Sequence, residues 1–321
     1  MTPLDLDLVV IGDLNADLIL QGQDPVPEFG QVEKLVDLGL LTIGGSSGIT
    51  ACGAARLGLH TACIGVLGED ALGAFMRSAL IARGVDVSPC WTDAGRQTGI
   101  SVILTRHDGG GRAILTAPGT IDALTTELIP LDVVGRARHI HCGSYFLQPR
   151  LHDGLATLFK QARELGLTCS LDTNWDPTGS WDGRLHDVLR HCDIFFPNEA
   201  EALCITREKT VDAALAALKE LGPTVALKQG VSGGTVARDS RVLHAPSPPM
   251  DAVVDTTGAG DSFNAGYLYG FLNDWDAEPC LALALACGSL STGALGGTDA
   301  QPNLDQALAL ASTVSVSDPQ T

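Results

Sequence analysis

A short glycine-rich segment, Asp255–Gly266 (DTTGAGDSFNAG), contains residues suited to hold a phosphate group and to activate a hydroxyl. Gly258, Ala259 and Gly260 can bring backbone N–H groups close to an anion. The residues that follow have helical spacing, which places these donors at a helix N-terminus, where anions bind favourably. Asp261 in the first turn is positioned to accept a proton from a neighbouring hydroxyl. The segment therefore predicts phosphoryl transfer to an alcohol, although GAGD alone also suits a turn with an N-capping aspartate.

Two further sets of residues are candidates for binding the hydroxyl-bearing substrate. Asn15 and Asp17 lie two positions apart after a buried strand, so they can face one side and hydrogen bond to sugar hydroxyls. An Asx-type turn is the alternative interpretation of this pair. Gly44 and Gly45 open a helix rich in small residues, whose free N–H groups can bind a ligand oxygen.

Other polar residues suit the phosphate donor. Asn198 and Glu201 are spaced i, i+3 on one helical face and can together hold a hydrated Mg²⁺; a surface N-cap with an acidic first turn would have the same sequence. Lys228–Gly234 (KQGVSGG) ends a strand with a basic residue and a flexible loop. Such a loop suits contact with nucleotide phosphates or ribose, and it equally suits an ordinary hairpin.

The elements that must position these residues follow an alternating pattern. Short apolar runs typical of buried strands are separated by helical patterns such as Leu151–Leu165 and Val211–Leu221. The runs are Asp7–Gly12, Thr61–Val66, Arg138–Cys142, Leu167–Asp172, Asp193–Pro197 and Thr224–Lys228. We expect an α/β fold, a single domain over residues 1–321, with a mostly parallel central sheet, helices on both faces and ligands at the carboxyl ends of the strands.

Two segments interrupt this alternation. Residues 16–42 and 98–117 contain strand-like alternation, prolines and a glycine-rich turn at Gly109–Gly111. Since both are inserted between α/β elements, they are interpreted as a small β lid over the carboxyl edge of the sheet. Two separate surface hairpins would give the same pattern.

Composition excludes several classes of function. The chain has 321 residues with 38 acidic and 20 basic side chains, a formal charge of −18, which disfavours nucleic acid and anionic membrane surfaces as partners. No apolar run approaches the roughly 20 residues that span a bilayer, and the first residues carry no basic segment typical of a signal peptide. Nine scattered cysteines without a C-x-x-C pair favour buried thiols in a reducing compartment. We therefore expect a cytoplasmic protein.

The motifs together resemble those of the ribokinase-like (PfkB) family of carbohydrate and nucleoside kinases. Asp255–Gly266 resembles the second family signature, and Gly44–Gly58 (GGSSGITACGAARLG) resembles the first. Gly12–Asp17 resembles the segment that binds substrate hydroxyls, and Pro197–Glu201 (PNEAE) resembles the N-x-x-E motif. The matches occur in the family's order over nearly the whole chain, and no Walker P-loop is present.

The resemblance implies an ATP-dependent kinase that uses Mg²⁺ and phosphorylates a hydroxyl of a neutral sugar. Asp261 would be the catalytic base, and Gly258, Ala259 and Gly260 the anion hole. Substrate would be bound by Asn15, Asp17, Gly44, Gly45, Ser46 and Asp261. Nucleotide would be bound by Asn198, Lys228, Gly230, Ser232, Gly233, Thr257, Gly258, Gly260 and Gly297. Asn198 and Glu201 would hold Mg²⁺, and Asp255 and Thr257 resemble the start of the loop that binds a monovalent cation, such as K⁺, in some relatives.

Two departures from the family pattern leave the substrate open. Ile49 replaces an asparagine that is common in the first signature, and the glutamate that ribokinases carry near Gly143 and Ser144 is missing. Both changes remove polar sugar contacts. A nucleoside kinase and a catalytically silent sugar or nucleotide sensor are the alternatives, the first because Ile49 suits an apolar base. Leucines at 35–41 would form an apolar lid surface for a homodimer.

Overall fold

The computed structural model of the chain describes residues 4–106 and 111–318. Numbered in chain order, its strands are β1 Leu8–Ile11, β2 Ala16–Gly22, β3 Leu38–Ile43, β4 Thr61–Ile64, β5 Val66–Gly68, β6 Trp91–Asp93, β7 Ile100–Arg106, β8 Arg112–Ala117, β9 His139–Cys142, β10 Thr168–Leu171, β11 Ile194–Phe195, β12 Thr224–Lys228, β13 Gly234–Arg238 and β14 Arg241–Ala245. The α-helices are α1 Ser46–Leu57, α2 Ala71–Ala82, α3 Leu131–Val134, α4 Leu155–Glu164, α5 Leu185–Leu189, α6 Glu199–Thr206, α7 Val211–Lys219, α8 Ala259–Leu272, α9 Ala277–Ser291 and α10 Leu304–Ala311. Short 3₁₀ turns cover Ile121–Ala123, Thr126–Leu128, Tyr145–Leu147, Pro149–Leu151 and Gly230–Ser232.

The large sheet has eight strands in the order β14-β13-β12-β11-β10-β9-β1-β4. The six strands from β12 to β4 are mutually parallel, whereas β13 and β14 add an antiparallel edge. Each apolar run in the sequence supplies one of the six parallel strands. The prediction of a mostly parallel α/β sheet is confirmed.

Helices cover both faces of the large sheet because its strands are apolar on both sides. Along β1, Val9 and Ile11 pack in the core formed with α3 to α7, and Leu8 and Val10 pack in the core formed with α1, α2 and α8 to α10. The predicted helices Leu151–Leu165 and Val211–Leu221 correspond to α4 and α7. The Thr210 side chain caps α7 by accepting a hydrogen bond from the N–H of Ala213.

The two inserted segments form one small sheet of four strands, in the order β3-β2-β7-β8. They are not two separate hairpins, because β2 and β7 pair in parallel and join the segments. The predicted turn at Gly109–Gly111 lies outside the described residues, except for Gly111. Strands β5 and β6 form a separate two-stranded parallel pair.

Parallel pairing brings the carboxyl ends of the large-sheet strands to one edge, where polar residues lie at the ends of five of the six parallel strands. They are Asp13 after β1, Ser144 after β9, Asp172 after β10, Asn198 after β11 and Lys228 at the end of β12. This edge therefore concentrates charged and amide side chains, as expected for a ligand site in such a sheet.

Within residues 4–106 and 111–318, no helix combines the length and apolar character needed to cross a bilayer.

Candidate active site

A cavity of about 1010 Å³ lies between the carboxyl edge of the large sheet, the N-terminus of α8 and the small sheet. Most of the site residues expected from the sequence line it. Those that do are Asn15, Asp17, Gly45, Ser46, Asn198, Glu201, Lys228, Gly230, Gly233, Thr257, Gly258, Ala259, Gly260 and Asp261. Gly44, Ser232, Asp255 and Gly297 are not among the residues that line the cavity.

The turn that begins α8 has the backbone geometry expected of an anion site. Gly258 is the N-cap and has a φ of 72°, a left-handed conformation suited to glycine. A Cβ at this position would lie 2.6 Å from Cα of Gly297, so Gly297 packs behind the turn and supports it. The first N–H groups of a helix have no intrahelical partners. In this turn the N–H of Ala259 donates to the Thr256 carbonyl at 3.3 Å, and the N–H groups of Gly258 and Gly260 are available to a phosphate group.

Asp261 lies in the first turn of α8, beside these N–H groups. The Ser46 hydroxyl donates a hydrogen bond to its Oδ1 atom. Burial, followed by the negative charge of Asp172, raises the pKa of Asp261 to about 7. A carboxyl with this pKa is suited to exchange a proton near neutral pH.

Asp172 forms the centre of a buried polar cluster. Its Oδ2 atom accepts hydrogen bonds from Lys228 Nζ at 2.5 Å and from Asn264 Nδ2 at 2.6 Å. Burial opposes ionisation of Asp172, but the Lys228 ammonium outweighs it and lowers the pKa of the carboxyl. The same carboxylate raises the pKa of Lys228. Lys228 therefore reaches the cavity already paired with Asp172.

Asn198 and Glu201 form a reciprocal capping box at the start of α6. Asn198 Oδ1 accepts a hydrogen bond from the N–H of Glu201 at 2.9 Å, and Glu201 Oε2 accepts one from the N–H of Asn198 at 2.8 Å. Burial and then Asp172 raise the pKa of Glu201 to about 7. The two interpretations of this motif are compatible, because Glu201 also lines the cavity. A buried carboxylate facing a phosphate site fits Mg²⁺, which prefers oxygen ligands.

Asn15 and Asp17 lie on the opposite side of the cavity, at the start of the small sheet. Asn15 Nδ2 donates to Asp17 Oδ1 at 3.0 Å and to Ser101 Oγ at 3.3 Å. Burial and the nearby Asp13 raise the pKa of Asp17 to about 7. A Cβ on Gly44 would lie 1.9 Å from Asp17 Oδ1, so any larger residue there would displace the Asp17 carboxyl. Gly44 thus leaves room for the Asp17 carboxylate.

A bridge between the small sheet and the anion-hole turn runs through Arg112. Its Nη1 atom donates to the Thr257 hydroxyl at 2.9 Å, and that hydroxyl donates to Asp255 Oδ1 at 2.8 Å. Asp255 Oδ2 accepts a bond from the N–H of Gly296 at 2.9 Å. Asp255 therefore holds the loop together through its side chain.

Two contributors to the site, Asp13 and Asn264, lie in segments singled out from the sequence but were not assigned individual roles there. Asp13 accepts hydrogen bonds from the N–H groups of Ser46 and Ser47 and from the Ser144 hydroxyl. Asn264 lies three residues after Asp261 and binds Asp172. The position of Asp13 directly after a buried strand, and the i, i+3 spacing of Asn264 from Asp261, were the available signals.

Comparisons with known proteins identify the family and the fold. Residues 5–304 match the family described as pfkB family carbohydrate kinase. A fructokinase from Klebsiella pneumoniae is 31% identical over 310 residues, which cover 92% of this chain and 96% of the relative. The structure of Arabidopsis thaliana ribokinase complexed with ribose and ATP matches with a TM-score of 0.82 and 26% identity, covering 95% of this chain and 98% of that one.

A crystal structure of adenosine kinase from Sinorhizobium meliloti is similar to the same extent. It matches with a TM-score of 0.82 and 25% identity, and the match covers 95% of this chain and 98% of that one. Full-length matches in sequence and structure confirm the resemblance suggested by the motifs. The chain therefore belongs to the pfkB family of carbohydrate kinases and is an ATP-dependent kinase with the ribokinase-like fold.

Proposed function

We propose that the protein transfers the γ-phosphoryl group of ATP to a hydroxyl of a neutral sugar, with Asp261 as the base. The observation that carries this proposal is the position of the partly buried Asp261 carboxyl beside the N–H groups of the α8 turn, in the same cavity as Asn15 and Asp17. In the reaction, the sugar oxygen bonds to the γ-phosphorus, the bond to the β-γ bridging oxygen breaks, and the hydroxyl proton passes to Asp261. ADP leaves.

The anion hole and the acidic residues have separate roles in this proposal. N–H groups of the Gly258–Gly260 turn stabilise charge on the transferred group. Glu201, held by Asn198, is the residue that would bind Mg²⁺, directly or through water. When bound, Mg²⁺ neutralises charge on the phosphates. Lys228, Gly230 and Gly233 border the nucleotide side, with Lys228 oriented by Asp172.

The charge on the acceptor side favours a neutral sugar. Asp13, Asn15 and Asp17 line it, and carboxylates repel a phosphate or carboxylate on the substrate while accepting hydrogen bonds from its hydroxyls. The Klebsiella fructokinase and the Arabidopsis ribokinase with bound ribose support a sugar acceptor. Ser101 and Thr116 supply two further hydroxyls on the small sheet.

A nucleoside acceptor is the second candidate, because aliphatic side chains form one wall of the same cavity. Ile49, Ile103, Ile114 and Ile121 line it and can pack against a planar base. The similarity to an adenosine kinase supports this candidate. Competition between nucleosides and free pentoses for phosphorylation distinguishes the two.

A monovalent cation is a further part of the proposal. The Asp255 carboxylate accepts hydrogen bonds from Thr257 and Gly296, so it would order the loop while backbone carbonyls bind K⁺. Activity in K⁺ compared with a bulky organic cation tests this role.

The decisive experiment is a phosphorylation screen with ATP and Mg²⁺ against neutral hexoses, pentoses, phosphosugars and nucleosides. For an accepted substrate, Asp261→Asn should lower kcat by about 10³-fold because the proton acceptor is removed. Binding of nucleotide, measured by calorimetry, should persist. Asp305→Asn makes the same change in the first turn of α10, at an exposed position, and serves as the matched control. Near-normal turnover by Asp261→Asn would refute the assignment.

A further inference from the structure

The hydroxyl of Ser46 contacts the carboxylate of Asp261 across the gap between α1 and α8. Ser46 donates a hydrogen bond to Oδ1 and is only 8% exposed. Among the described residues, it is the one side chain that hydrogen bonds to this carboxylate. Oδ2 receives no such bond from the described part of the chain, which leaves it available to another hydroxyl.

The backbone of Ser46 is itself held firmly at the start of α1. Its N–H donates to Asp13 Oδ2 at 3.1 Å, and the N–H of Ser47 donates to Asp13 Oδ1 at 3.0 Å. The Ser144 hydroxyl donates to Asp13 Oδ2 at 2.8 Å, and Asn174 Nδ2 donates to that hydroxyl at 3.2 Å. The backbone that carries the Ser46 hydroxyl is therefore fixed in place opposite Asp261.

Close packing also fixes α1 relative to α8. A Cβ on Gly53 would lie 2.9 Å from Cβ of Ala265, so the two helices approach closely at this point. Gln301 Nε2 joins them by donating to the Ile49 carbonyl at 2.9 Å and to the Ser262 hydroxyl at 3.1 Å. The contact between Ser46 and Asp261 thus lies within a rigid helix pair.

We propose that Ser46 is a positioning residue for Asp261: its hydroxyl holds Oδ1 so that Oδ2 faces the acceptor hydroxyl. The proposal rests on the role of Asp261 as the base. In this role the Ser46 hydroxyl affects the reaction through the Asp261 carboxylate. A residue that only contacted the substrate would not affect the pKa or orientation of Asp261.

The hydrogen bond from Ser46 contributes to the balance between the protonated and ionised forms of Asp261. Burial and the carboxylates of Asp172 and Asp13 favour the protonated form, whereas the Ser46 hydroxyl and the Lys228 ammonium favour the ionised form. Only the ionised form accepts a proton. Removal of the Ser46 hydroxyl should therefore both misorient the carboxylate and raise its pKa.

The kinetic test compares Ser46→Ala with Ser46→Thr, which keeps the hydroxyl. For an accepted substrate, Ser46→Ala should lower kcat about tenfold and move the acidic limb of the pH profile of kcat upward by about one unit. Ser46→Thr should keep the limb at its original pH. An unchanged limb in Ser46→Ala, with only KM raised, would overturn the proposal and indicate a substrate contact. If Ser46→Ala fails to fold, Ser46→Cys, a weak donor of similar size, should give the same direction of shift.

A second readout needs no substrate. Because the hydroxyl stabilises the ionised carboxylate, Ser46→Ala should lower Tm more at about pH 8 than at about pH 5. Ser47→Ala is the matched control, since its hydroxyl donates to the Ile11 carbonyl and not to Asp261. Its effect on Tm should be the same at both pH values. Equal pH dependence in the two variants would contradict the proposal.

These outcomes separate the two proposals. If Asp261→Asn retains turnover, the role of Asp261 as base is wrong. If Asp261→Asn is inactive but Ser46→Ala keeps the normal pH limb and the Tm behaviour of Ser47→Ala, only the role of Ser46 is wrong.

Discussion

The large and small sheets line the same cavity but are packed differently. The large sheet is covered by helices on both faces, and its edge residues Asp13 and Asp172 are 2% and 3% exposed, each with several hydrogen bonds. The small sheet has an outer face that is partly open to solvent, and every residue of its edge strand β8 is exposed. Weakly packed elements open at lower free energy than core strands. The groups proposed for chemistry therefore lie on the large sheet and on helix α8 packed against it, and part of the acceptor side belongs to the looser small sheet.

The difference in packing between the two sheets is tested most strongly by replacing one charged side chain in each sheet with methionine. Lys228→Met keeps the aliphatic stem but leaves the Asp172 carboxylate buried without its cation, so the free energy of unfolding should fall by about 3–5 kcal/mol. Arg112→Met on β8 should lower it by only about 1 kcal/mol, because this exposed side chain loses one hydrogen bond, to Thr257, and leaves no buried charge unpaired. Urea unfolding monitored by circular dichroism measures both.

A double variant separates the effect of the unpaired Asp172 carboxylate from the loss of the Lys228 ammonium. Asp172→Asn combined with Lys228→Met removes the unpaired carboxylate and should recover part of the lost stability. Equal losses in Lys228→Met and Arg112→Met would show that the two sheets do not differ in the way proposed.

The pH dependence of stability gives a smaller effect within the rigid region. The pKa of Asp261 is about 7 in the folded protein against 3.8 for an ordinary aspartate, so the folded state binds more protons than the unfolded state between these values. Stability contributed by this group is therefore lost as pH rises through that window. Asp261→Asn removes the destabilisation caused by ionising this carboxyl in the folded protein. The resulting gain in the free energy of unfolding should be about 2 kcal/mol larger at about pH 8 than at about pH 5.

Thermal unfolding of Asp261→Asn and the exposed control Asp305→Asn at both pH values measures this difference. A gain that does not depend on pH, or the same gain in the control, would contradict the pKa of Asp261. The expected result also shows that a group proposed for catalysis lowers stability at the pH where it is ionised.

The sequence predicts the parallel strands of the large sheet well because each is apolar on both faces. Even β11, only Ile194–Phe195, lies inside the predicted run Asp193–Pro197. The parallel pairing of β2 with β7 could not be predicted, since it joins residues more than 80 positions apart and has no local signal. The sequence therefore suggested one small lid built from both segments, whereas its strand order and pairing came only from the structure.

The same limit applies to the site. Asp261 and the α8 turn are neighbours in sequence, so their proximity follows from helical geometry. The pair of Asp172 and Lys228 spans 56 residues and bridges β10 to β12 past the intervening β11, and no spacing rule predicts it. Asp13 reads as an ordinary turn residue until α1 is placed against it. Local chemistry was predictable, and contacts between distant elements were not.

The smallest effect on the stability of the protomer is expected on the outer face of the small sheet. Strand alternation and register place Leu20 on β2, Leu41 on β3, Leu104 on β7 and Leu115 on β8 on the face opposite Asp17. Leu115 is 64% and Leu41 39% exposed. We propose that a second copy of the chain covers this face, because apolar surface on a sheet favours association.

Sedimentation velocity at micromolar concentration should show a dimer for the unmodified protein and a monomer for Leu115→Lys, with the free energy of unfolding of the protomer changed by less than about 0.5 kcal/mol. Leu165→Lys places the same charge at another exposed leucine, 60% exposed after α4, and should leave the dimer intact. If the unmodified protein is a monomer, the proposed dimer is wrong and the outer face of the small sheet is exposed to solvent. A dimer would instead mean that the looser sheet gains its support from a partner, and that the difference in packing between the two sheets belongs to the isolated protomer.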